Sequence, residues 1–446
     1  MGSLEPLQRP HVVAFPFPAQ GHINPMMEFS KRLVSKNLRV TFVITEANRE
    51  RMIQAGALRF HDHIRIETIS DGIPLDFDRS KGADTFVDLL RKVGAQTFEK
   101  LIQRLNAEGD SSVSCIVYDS FLEWVPEIAT KFKIPSAYFW TQSCAVYSIY
   151  YHYHKGFETE KPSNVNIEGL PELCPRDLPS FLHPSNTYKS ILRTVLDHFN
   201  TISHPTWILG NSFHELETAE IRSMASLVPI VTVGPLVPSA FLDGNNPEDT
   251  DVGAHMWKTV DCIEWLNTMG NSGVVYISFG SDIVPSKEQI HEIAFGLKAS
   301  GHSFLWVIRP GHNKEENVRL QNFPEGFLEE TAERGLVVPW CPQMAVLSHP
   351  SVGVFMTHCG WNSTLESLSS GVPVLAVPQW ADQTTNAKYI EDEWKTGIRL
   401  KRREDGVVAR EEVKNSIKEI MESEVGIELR KNALQWKTLA KQAMGQ

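Results

Sequence analysis

The sequence has few cysteines, and none is spaced as in a metal or redox motif. The six cysteines include no Cys-x-x-Cys pair and stand at positions 115, 144, 174, 262, 341 and 359. Scattered thiols are typical of reduced proteins in a reducing compartment. No set of histidines and cysteines has the spacing of metal ligands. We therefore expect neither a disulfide framework nor a bound metal or other cofactor.

The chain also lacks a long apolar run and an excess of basic residues. No apolar stretch approaches the length of a transmembrane helix. Prolines interrupt the first apolar stretch and no basic segment precedes it, which is typical of a first strand rather than a signal peptide. The 43 Lys and Arg are outnumbered by 54 Asp and Glu, so the formal net charge is −11. This balance argues against nucleic acid or an anionic membrane as a partner. We expect a cytoplasmic monomer.

Short apolar segments alternate with amphipathic segments along almost the whole chain. With 446 residues, 42% of them apolar, the chain is long enough for two domains with separate cores. The alternation predicts parallel sheets with crossover helices. It breaks at residues 238–256, which are rich in Pro, Gly, Asn and Asp and are typical of a linker. We predict an α/β protein with doubly wound domains at residues 1–237 and 257–446, the last helix packing back on the first domain.

The predicted strands lie near residues 11–17, 38–45, 64–70, 114–119, 135–140, 206–211, 273–279, 303–309, 335–339, 352–357, 373–377 and 397–400. The predicted helices lie near residues 24–36, 84–107, 121–133, 142–154, 188–202, 286–300, 382–394, 409–423 and 427–444. Two such halves facing each other place a ligand cleft between the carboxyl ends of their strands.

The segment WCPQMAVLSHPSVGVFMTHCGWNSTLESLSSGVPVLAVPQWADQ, residues 340–383, is the most informative part of the chain. An apolar strand runs into a glycine-containing turn, and Asn362 or Ser363 then opens a helix. Free backbone N–H groups at a helix start bind anions and suit a diphosphate. Ser363 and Glu366 also fit the Ser-x-x-Glu capping box, which any helix start could carry.

Two further residues form a candidate acid–base pair. His22 lies in a turn rich in Gly and Pro ahead of a helix, and an imidazole with a pKa near ~6.5 suits it to accept a hydroxyl proton. It could equally make one structural hydrogen bond at the helix start. Asp119 ends an apolar strand, where it either orients the imidazole or caps the helix predicted at 121–133. No nucleophilic Ser or Cys elbow is present, so the pair would activate a hydroxyl of the substrate.

Segment 340–383 resembles the signature box of the plant family 1 UDP-sugar glycosyltransferases. FPFPAQGHINPM (15–26), IVYDSF (116–121), FWTQS (139–143) and YISFGS (276–281) resemble further landmarks of the family, in the same order. The resemblance implies the GT-B architecture, with two Rossmann-like domains facing a central cleft. It also implies inverting, metal-independent transfer of glucose from UDP-glucose to a small apolar acceptor such as a steroid, triterpenoid or phenolic. It favours His22 as the base and Asp119 as the residue that orients it.

The resemblance also implies a role for each polar residue of the box. For UDP, Trp340 would stack on uracil and Cys341 would offer its backbone to the base edge. The remaining UDP contacts would be Gln343 and Glu366 on the ribose, and Ser281, His358, Asn362 and Ser363 on the diphosphate. The sugar would be held by Thr141, Trp361, Asp382 and Gln383, the last of which favours glucose. The acceptor would contact Phe15, Phe121 and Trp380.

Two alternatives remain open at this point. A nicotinamide-dependent oxidoreductase would use the same fold, but no G-x-G-x-x-G follows the first strand. A non-catalytic protein that binds UDP-sugars or apolar metabolites is not excluded by the fold, although the His22–Asp119 pair argues against it. The histidine-rich stretches at 61–63 and 152–154 are expected to be structural or solvated.

Overall fold

The structure is a computed structural model, and it describes residues 9–56, 63–74, 82–108, 112–156, 164–281, 283–309 and 322–445. His61 and Asp62, which we expected to be structural or solvated, lie outside these ranges. None of the described helices combines the length and apolarity that crossing a bilayer requires.

The first half of the chain forms a parallel sheet of seven strands in the order β3-β2-β1-β4-β5-β6-β7. Its strands are β1 (His11–Phe15), β2 (Arg39–Thr45), β3 (Ile64–Ile69), β4 (Val113–Asp119), β5 (Ser136–Trp140), β6 (Trp207–Gly210) and β7 (Val231–Thr232). The central strands β1 and β5 are buried along their whole length, because helices cover both faces. All six strands predicted here are confirmed. β7 was not predicted, because two residues are too short to show a period.

The second half forms a parallel sheet of six strands in the order β10-β9-β8-β11-β12-β13. Its strands are β8 (Val274–Ser278), β9 (Ser303–Val307), β10 (Gly335–Val338), β11 (Val352–Thr357), β12 (Val374–Ala376) and β13 (Gly397–Arg399). All six were predicted. In both sheets the strand order reverses beside the first strand of the half, and such a switch point is where doubly wound sheets bind ligands.

The helices cover the faces of the two sheets. They are α1 (Gln20–Ser35), α2 (Glu46–Gln54), α3 (Ala83–Leu89), α4 (Ala95–Ala107), α5 (Val125–Lys131), α6 (Cys144–His154), α7 (Lys189–Asp197), α8 (Thr218–Met224), α9 (Ile263–Asn267), α10 (Lys287–Ser300), α11 (Phe327–Glu330), α12 (Gln343–Leu347), α13 (Trp361–Ser370), α14 (Gln383–Lys388), α15 (Arg410–Glu422) and α16 (Glu424–Met444). Of the helices that were not predicted, α8, α9, α11 and α12 have seven residues or fewer, too few to establish a helical period. The nine residues of α2 have no apolar face that marks a helix, since the helix buries only Ala47, Asn48 and Met52.

Two predicted helices are interrupted. The helix expected at 84–107 is divided by a π-helical turn at Leu90–Gly94, and the helix expected at 382–394 changes to π-helical hydrogen bonding at Tyr389–Glu393. A π turn inserts one residue into the hydrogen-bond pattern without ending the helix. The spacing of apolar residues does not reveal such an insertion.

The two halves also pack directly against each other. An apolar cluster joins Ala145 and Phe213 of the first half to Trp361 and Ala440 of the second. The Phe213 ring lies 6.5 Å from the ring of Trp436, which belongs to the last helix, α16. The predicted linker, 238–256, lies between the two sheets along the chain. Its limits, and therefore the domain boundaries, stay a prediction.

Candidate active site

A cleft of about 1170 Å³ lies between the two halves. It is lined by segments that follow the carboxyl ends of β1 and β4 in the first sheet and of β8 and β11 in the second. Parallel sheets bind their ligands at this end of the strands. Of the predicted site residues, all but Phe15 and Asp119 line the cleft, and Asp119 lies directly behind His22.

His22 and Asp119 form the pair that the sequence predicted. His22 Nδ1 lies 2.9 Å from Asp119 Oδ2, and the aspartate is fully buried. The backbone N–H of Phe121 donates to Asp119 Oδ1 at 3.0 Å. The alternative of a helix cap is wrong, because α5 begins at Val125 with Trp124 as its N-cap residue. With Nδ1–H donating to the carboxylate, Nε2 keeps a lone pair that can accept a proton.

The ring of His22 is fixed on its other sides as well. The ring centroids of Phe17 and Phe121 lie 5.3 Å and 5.1 Å from that of His22, both edge-on. Thr141, which we expected to contact the sugar, has its Oγ1 3.2 Å from His22 Nδ1. These contacts restrict rotation of the ring, so the geometry of the pair is set before any ligand binds.

The helix that carries His22 begins earlier than predicted, at Gln20, which places His22 in its first turn. Pro25 lies inside this helix and has no N–H, so the carbonyl four residues earlier, that of Gly21, receives no helical hydrogen bond from it. The Asn362 Nδ2 donates to this carbonyl at 2.7 Å. A residue expected to hold the diphosphate therefore also ties the second half to the residue next to His22.

Helix α13 begins at Trp361, with Gly360 as N-cap, and no side chain of the described residues caps it. The predicted capping box is wrong, because Ser363 is the third residue of the helix. Its hydroxyl instead accepts a hydrogen bond from Gln343 Nε2 at 2.9 Å. Because no side chain in the described part of the chain takes up the first-turn N–H groups, these groups suit an anion.

His358 stands between two glycines beside this helix start. A Cβ on Gly280, whose φ is +73°, would lie 2.7 Å from the His358 ring, and one on Gly360 would lie 2.5 Å from it. Burial lowers the pKa of His358 to about 4, so the imidazole is neutral near pH 7. The Thr357 hydroxyl lies 3.2 Å from Nδ1. When that hydroxyl donates, Nε2 carries the proton and is a hydrogen-bond donor. Ser281 lines the cleft next to Gly280.

The residues predicted for the ribose form one hydrogen-bonded network. Gln343 Nε2 donates to Glu366 Oε2 at 2.5 Å, and the Tyr276 hydroxyl donates to Gln343 Oε1 at 3.0 Å. Burial raises the pKa of Glu366 to about 7, against the opposing effects of the Gln343 hydrogen bond and of nearby His255. A carboxyl poised at neutral pH and connected to fixed donors is typical of a functional site. Tyr276 was not predicted, because within its strand it is indistinguishable from a core residue.

Trp340, predicted to stack on a base, lies beside a second tryptophan that the sequence did not reveal. The ring centroids of Trp340 and Trp257 are 4.9 Å apart, and the Arg309 guanidinium lies 5.5 Å from the Trp257 ring. Trp257 follows the linker, where no periodicity marked it. The side chain of Cys341 is buried, with Sγ 3.4 Å from the Tyr276 hydroxyl, which leaves its backbone as the group that could meet a base edge.

Two of the residues predicted for the sugar, Asp382 and Gln383, follow β12. Burial raises the pKa of Asp382 to about 6, and Asn386 Nδ2 donates to its Oδ2 at 2.7 Å. Gln383 Oε1 accepts hydrogen bonds from the backbone N–H groups of Gln379 and Trp380 at 2.9 Å and 3.1 Å. Two backbone donors fix which end of the Gln383 amide is oxygen, so its Nε2 is the group left for the cleft.

Comparison with known proteins agrees with this site. Residues 215–442 match the family described as UDP-glucoronosyl and UDP-glucosyl transferase, and residues 9–68 match a glycosyltransferase N-terminal domain. UDP-glycosyltransferase 74E1 of Arabidopsis thaliana is 42% identical over 98% of this chain and 95% of its own. Gallate 1-beta-glucosyltransferase 84A23 of Punica granatum is 40% identical over 96% of this chain and 86% of its own. The crystal structure of Os79 from O. sativa in complex with UDP has a TM-score of 0.87 and 33% identity, covering 96% of this chain and 95% of that chain.

The chain belongs to the plant family 1 UDP-glycosyltransferases. The GT-B fold is confirmed, and the protein is an enzyme that transfers a sugar from a UDP-sugar. The alternative of a nicotinamide-dependent oxidoreductase is wrong. The roles of the individual site residues stay predictions.

One predicted acceptor residue of this UDP-glycosyltransferase is misplaced. Phe15 is fully buried in the core, stacked on Phe98 at 4.8 Å, and does not line the cleft. It ends β1, and Phe17, two residues later and beyond the strand, lines the cleft instead. The sequence letters FPF could not show which phenylalanine leaves the core. Phe121 and Trp380 line the cleft as expected, together with further aromatic and apolar side chains that were not predicted, among them Phe86, Phe181, Tyr188 and Ile191.

Trp361 has a structural contact in addition to its place at the cleft. Its indole Nε1 donates to the Asn211 carbonyl of the first half at 2.6 Å, and its ring lies 6.0 Å from that of Trp394. The side chain of Trp361 is therefore part of the seam between the halves.

The glycosyltransferase contains two Asp-x-Asp sequences, a pattern that could hold a metal. Residues 76–78 lie outside the described part of the chain. In the second, Asp249 Oδ1 pairs with Lys31 Nζ at 2.6 Å, and Asp251 is hydrogen-bonded to His255. Within the residues that the structure describes, no three His, Cys, Asp or Glu side chains are grouped as metal ligands. Independence from metal stays a prediction.

Proposed function

We propose that this glycosyltransferase transfers glucose from UDP-glucose, with inversion and without a metal ion, to a hydroxyl or carboxyl of a small apolar acceptor. The observation that carries the proposal is the His22–Asp119 pair at 2.9 Å, which leaves His22 Nε2 as a base in the cleft between the two halves. An acceptor bound against the first half and a donor bound against the second would meet there.

The proposed reaction is a single displacement. His22 Nε2 accepts the proton of the acceptor hydroxyl, and the oxygen attacks the anomeric carbon as the bond to the diphosphate breaks. Asp119 stabilises the imidazolium that forms, and UDP leaves with the bonding electron pair. Attack opposite the leaving group inverts the anomeric centre. Much of the acceleration would come from aligning the two bound substrates.

The negative charge of the leaving diphosphate would be stabilised by the start of α13 and by His358. The helix contributes its first N–H groups and the positive end of its dipole. The neutral imidazole of His358 would contribute a further N–H donor. Removing one donor of this kind typically costs about 3–4 kcal/mol of transition-state stabilisation. This arrangement supports a reaction that needs no divalent cation.

Glucose is proposed as the sugar because Gln383 ends the signature box and presents its amide Nε2 to the cleft, with Asp382 beside it. The acceptor is proposed to be apolar because aromatic side chains line the first-half wall of the cleft. The related enzyme from Punica granatum is named for glucosylation of gallate, a phenolic acid, and for a 1-beta product. That name supports a phenolic or carboxylic acceptor and an inverting reaction.

We also propose a cytoplasmic location and an active monomer. All six cysteines are unpaired thiols, which fits a reducing compartment. Both walls of the cleft come from one chain, so no second copy is needed to complete it.

The proposal is tested by replacing His22 with alanine and measuring UDP release from UDP-glucose with a panel of phenolic, carboxylic and triterpenoid acceptors. The expected loss of kcat is at least about 10²-fold, with the Kd for UDP unchanged. His204→Ala is the matched control, because His204 is exposed and precedes β6 at the end away from the cleft. Equal rates for the His22 variant and wild type would refute the assigned base. If wild type binds UDP but releases none with any acceptor of the panel, the proposed acceptor class is wrong.

A further inference from the structure

A segment of the first half, residues 175–182, crosses to the second half and is hydrogen-bonded along the start of α14. We call this segment the strap. The Thr385 hydroxyl donates to the Asp177 carbonyl at 2.6 Å, and the Thr384 hydroxyl donates to the Leu178 carbonyl at 2.7 Å. These bonds connect the strap to the helix that begins at Gln383, one of the predicted sugar-binding residues.

The amino-terminal end of the strap is fixed to the second half by an ion pair. Arg399 of β13 donates to Asp177 Oδ1 at 2.6 Å, and the Cys174 N–H donates to Asp177 Oδ2 at 3.0 Å. The Asp177 side chain is 3% exposed, so this pair is shielded from solvent and from salt. The strap therefore has a firm anchor on the second half.

Near its carboxyl-terminal end, the strap is hydrogen-bonded to a residue of the second half that has a strained backbone conformation. Ala381 has a φ of +56°, in the left-handed region that a residue with a Cβ rarely adopts. Both of its backbone groups are hydrogen-bonded to Ser180: the Ala381 N–H donates to Ser180 Oγ at 2.6 Å, and the Ser180 N–H donates to the Ala381 carbonyl at 2.8 Å. The Ala381 methyl group packs in the apolar core cluster of the first half. The unusual conformation is thus held by contacts with the other half.

The residues that follow Ala381 are Asp382 and Gln383. Because φ of Ala381 sets the direction in which the chain enters α14, it also sets where these two side chains enter the cleft. A change in that backbone angle would displace both together, while the residues around Trp340, on a different loop, would not move.

We infer that Ser180 is a positioning residue for the donor sugar, which holds Ala381 in the left-handed conformation and so places Asp382 and Gln383 against the hexose. The inference rests on the proposed role of those two residues in sugar binding. Ser180, a residue of the first half, which is proposed to bind the acceptor, would thus take part in the choice of sugar.

Aromatic side chains proposed to contact the acceptor pack against the same loop. Phe181 follows Ser180, and its ring centroid lies 5.4 Å from that of Trp380, which precedes Ala381. The Tyr188 ring lies 5.3 Å from Trp380 and 6.2 Å from Phe181. A bulky acceptor that displaces these rings would therefore also disturb the loop that carries the sugar-binding residues.

The test compares Ser180→Ala with wild type, using UDP-glucose and UDP-galactose as donors. Loss of the hydroxyl removes one of the two bonds to Ala381, so we expect kcat/KM for UDP-glucose to fall by about threefold to tenfold. The preference for glucose over galactose should fall by a similar factor, and the Kd for UDP, measured by calorimetry, should not change. Ser180→Thr keeps the hydroxyl oxygen and should retain the preference. Ser185→Ala is the matched control, since Ser185 is exposed and its hydroxyl contacts only His183 of the described side chains.

A second variant distinguishes positioning from general stabilisation. Glycine adopts a φ of +56° without the penalty that alanine carries, so Ala381→Gly added to Ser180→Ala should restore part of the glucose preference. If Ser180 only stabilised the fold, the added glycine would not restore the preference for glucose. The inference is overturned if Ser180→Ala lowers the melting temperature but leaves the sugar preference intact, or if it weakens UDP binding as much as it lowers turnover.

Gln383→Ala separates this inference from the proposed function. If that variant loses the preference for glucose while Ser180→Ala keeps it, only the role of Ser180 is refuted. If Gln383→Ala keeps the preference, the proposed sugar contact is wrong and the inference about Ser180 falls with it.

Discussion

Replacing Asp119 with asparagine tests the proposed base through the position of a single proton. The Phe121 N–H donates to Asp119 Oδ1 at 3.0 Å, so an asparagine in this place keeps its carbonyl oxygen on that side. Its NH₂ group then takes the position of Oδ2, 2.9 Å from His22 Nδ1. Two donors cannot face each other, so the imidazole must place its proton on Nε2 and accept at Nδ1. The nitrogen in the cleft then carries a proton and cannot take one from the acceptor.

The magnitude follows from the burial of the pair. A hydrogen bond to a charged group contributes about 1.5–3 kcal/mol, and the upper end applies because Asp119 has no exposed surface. About 3 kcal/mol corresponds to roughly 150-fold in rate, at 1.36 kcal/mol for each factor of ten. The wrong tautomer adds to this loss, so we expect kcat to fall by about 10²–10³-fold.

The assay is release of UDP under saturating acceptor, with UDP affinity measured separately by calorimetry. Neither Asp119 nor His22 is predicted to contact the nucleotide, so the Kd for UDP should match wild type. In the double variant with His22→Ala, Asp119→Asn should cost little further, because the two residues act as a unit. A kcat for Asp119→Asn close to that of wild type would refute the reasoning, and so would a loss of rate fully explained by weaker UDP binding.

Three further predictions concern other parts of the cleft. Burial raises the pKa of Glu366 to about 7, and the carboxylate is the form that accepts hydrogen bonds from ribose hydroxyls, so UDP affinity should rise by about tenfold from pH 6 to pH 8. In calorimetry, Glu366→Gln should lose this pH dependence of the Kd for UDP, and a pH dependence equal to that of wild type would contradict the assignment. Asn362→Ala removes the hydrogen bond to the Gly21 carbonyl and should lower kcat by more than it raises the Kd for UDP; an effect confined to Kd would assign Asn362 to the diphosphate alone. Phe15→Ala should destabilise the fold by about 3–5 kcal/mol in denaturant unfolding, whereas Phe17→Ala should mainly raise the acceptor KM, and the reverse pattern would contradict their placement.

Much of the fold could be predicted because a parallel sheet buried on both faces leaves a clear pattern in the sequence. Each of the twelve predicted strands is present, since each is a short apolar run bounded by turn residues. The pattern failed where an element is too short to repeat, as in β7, or where a helix changes its hydrogen bonding without ending, as at Leu90–Gly94. The start of α13 was predicted wrongly because a pattern that fits a helix cap need not be one. Ser363 fits a capping residue, but the N-cap is Gly360, which has no capping side chain, and the helix begins at Trp361.

The sequence by itself determined the two-domain α/β class, the family, and the residue types that chemistry in the cleft requires. It could do so because a strand, a helix start and the turn that carries His22 are each formed by residues adjacent along the chain. Only the tertiary structure decided which distant residues meet at the cleft: the Asn362 amide and the Gly21 carbonyl, Trp257 and Trp340 within the second half, and Ser180 and Ala381. All three contacts join segments far apart in sequence, and the first and third also depend on how the two halves pack, which no local pattern of residues records.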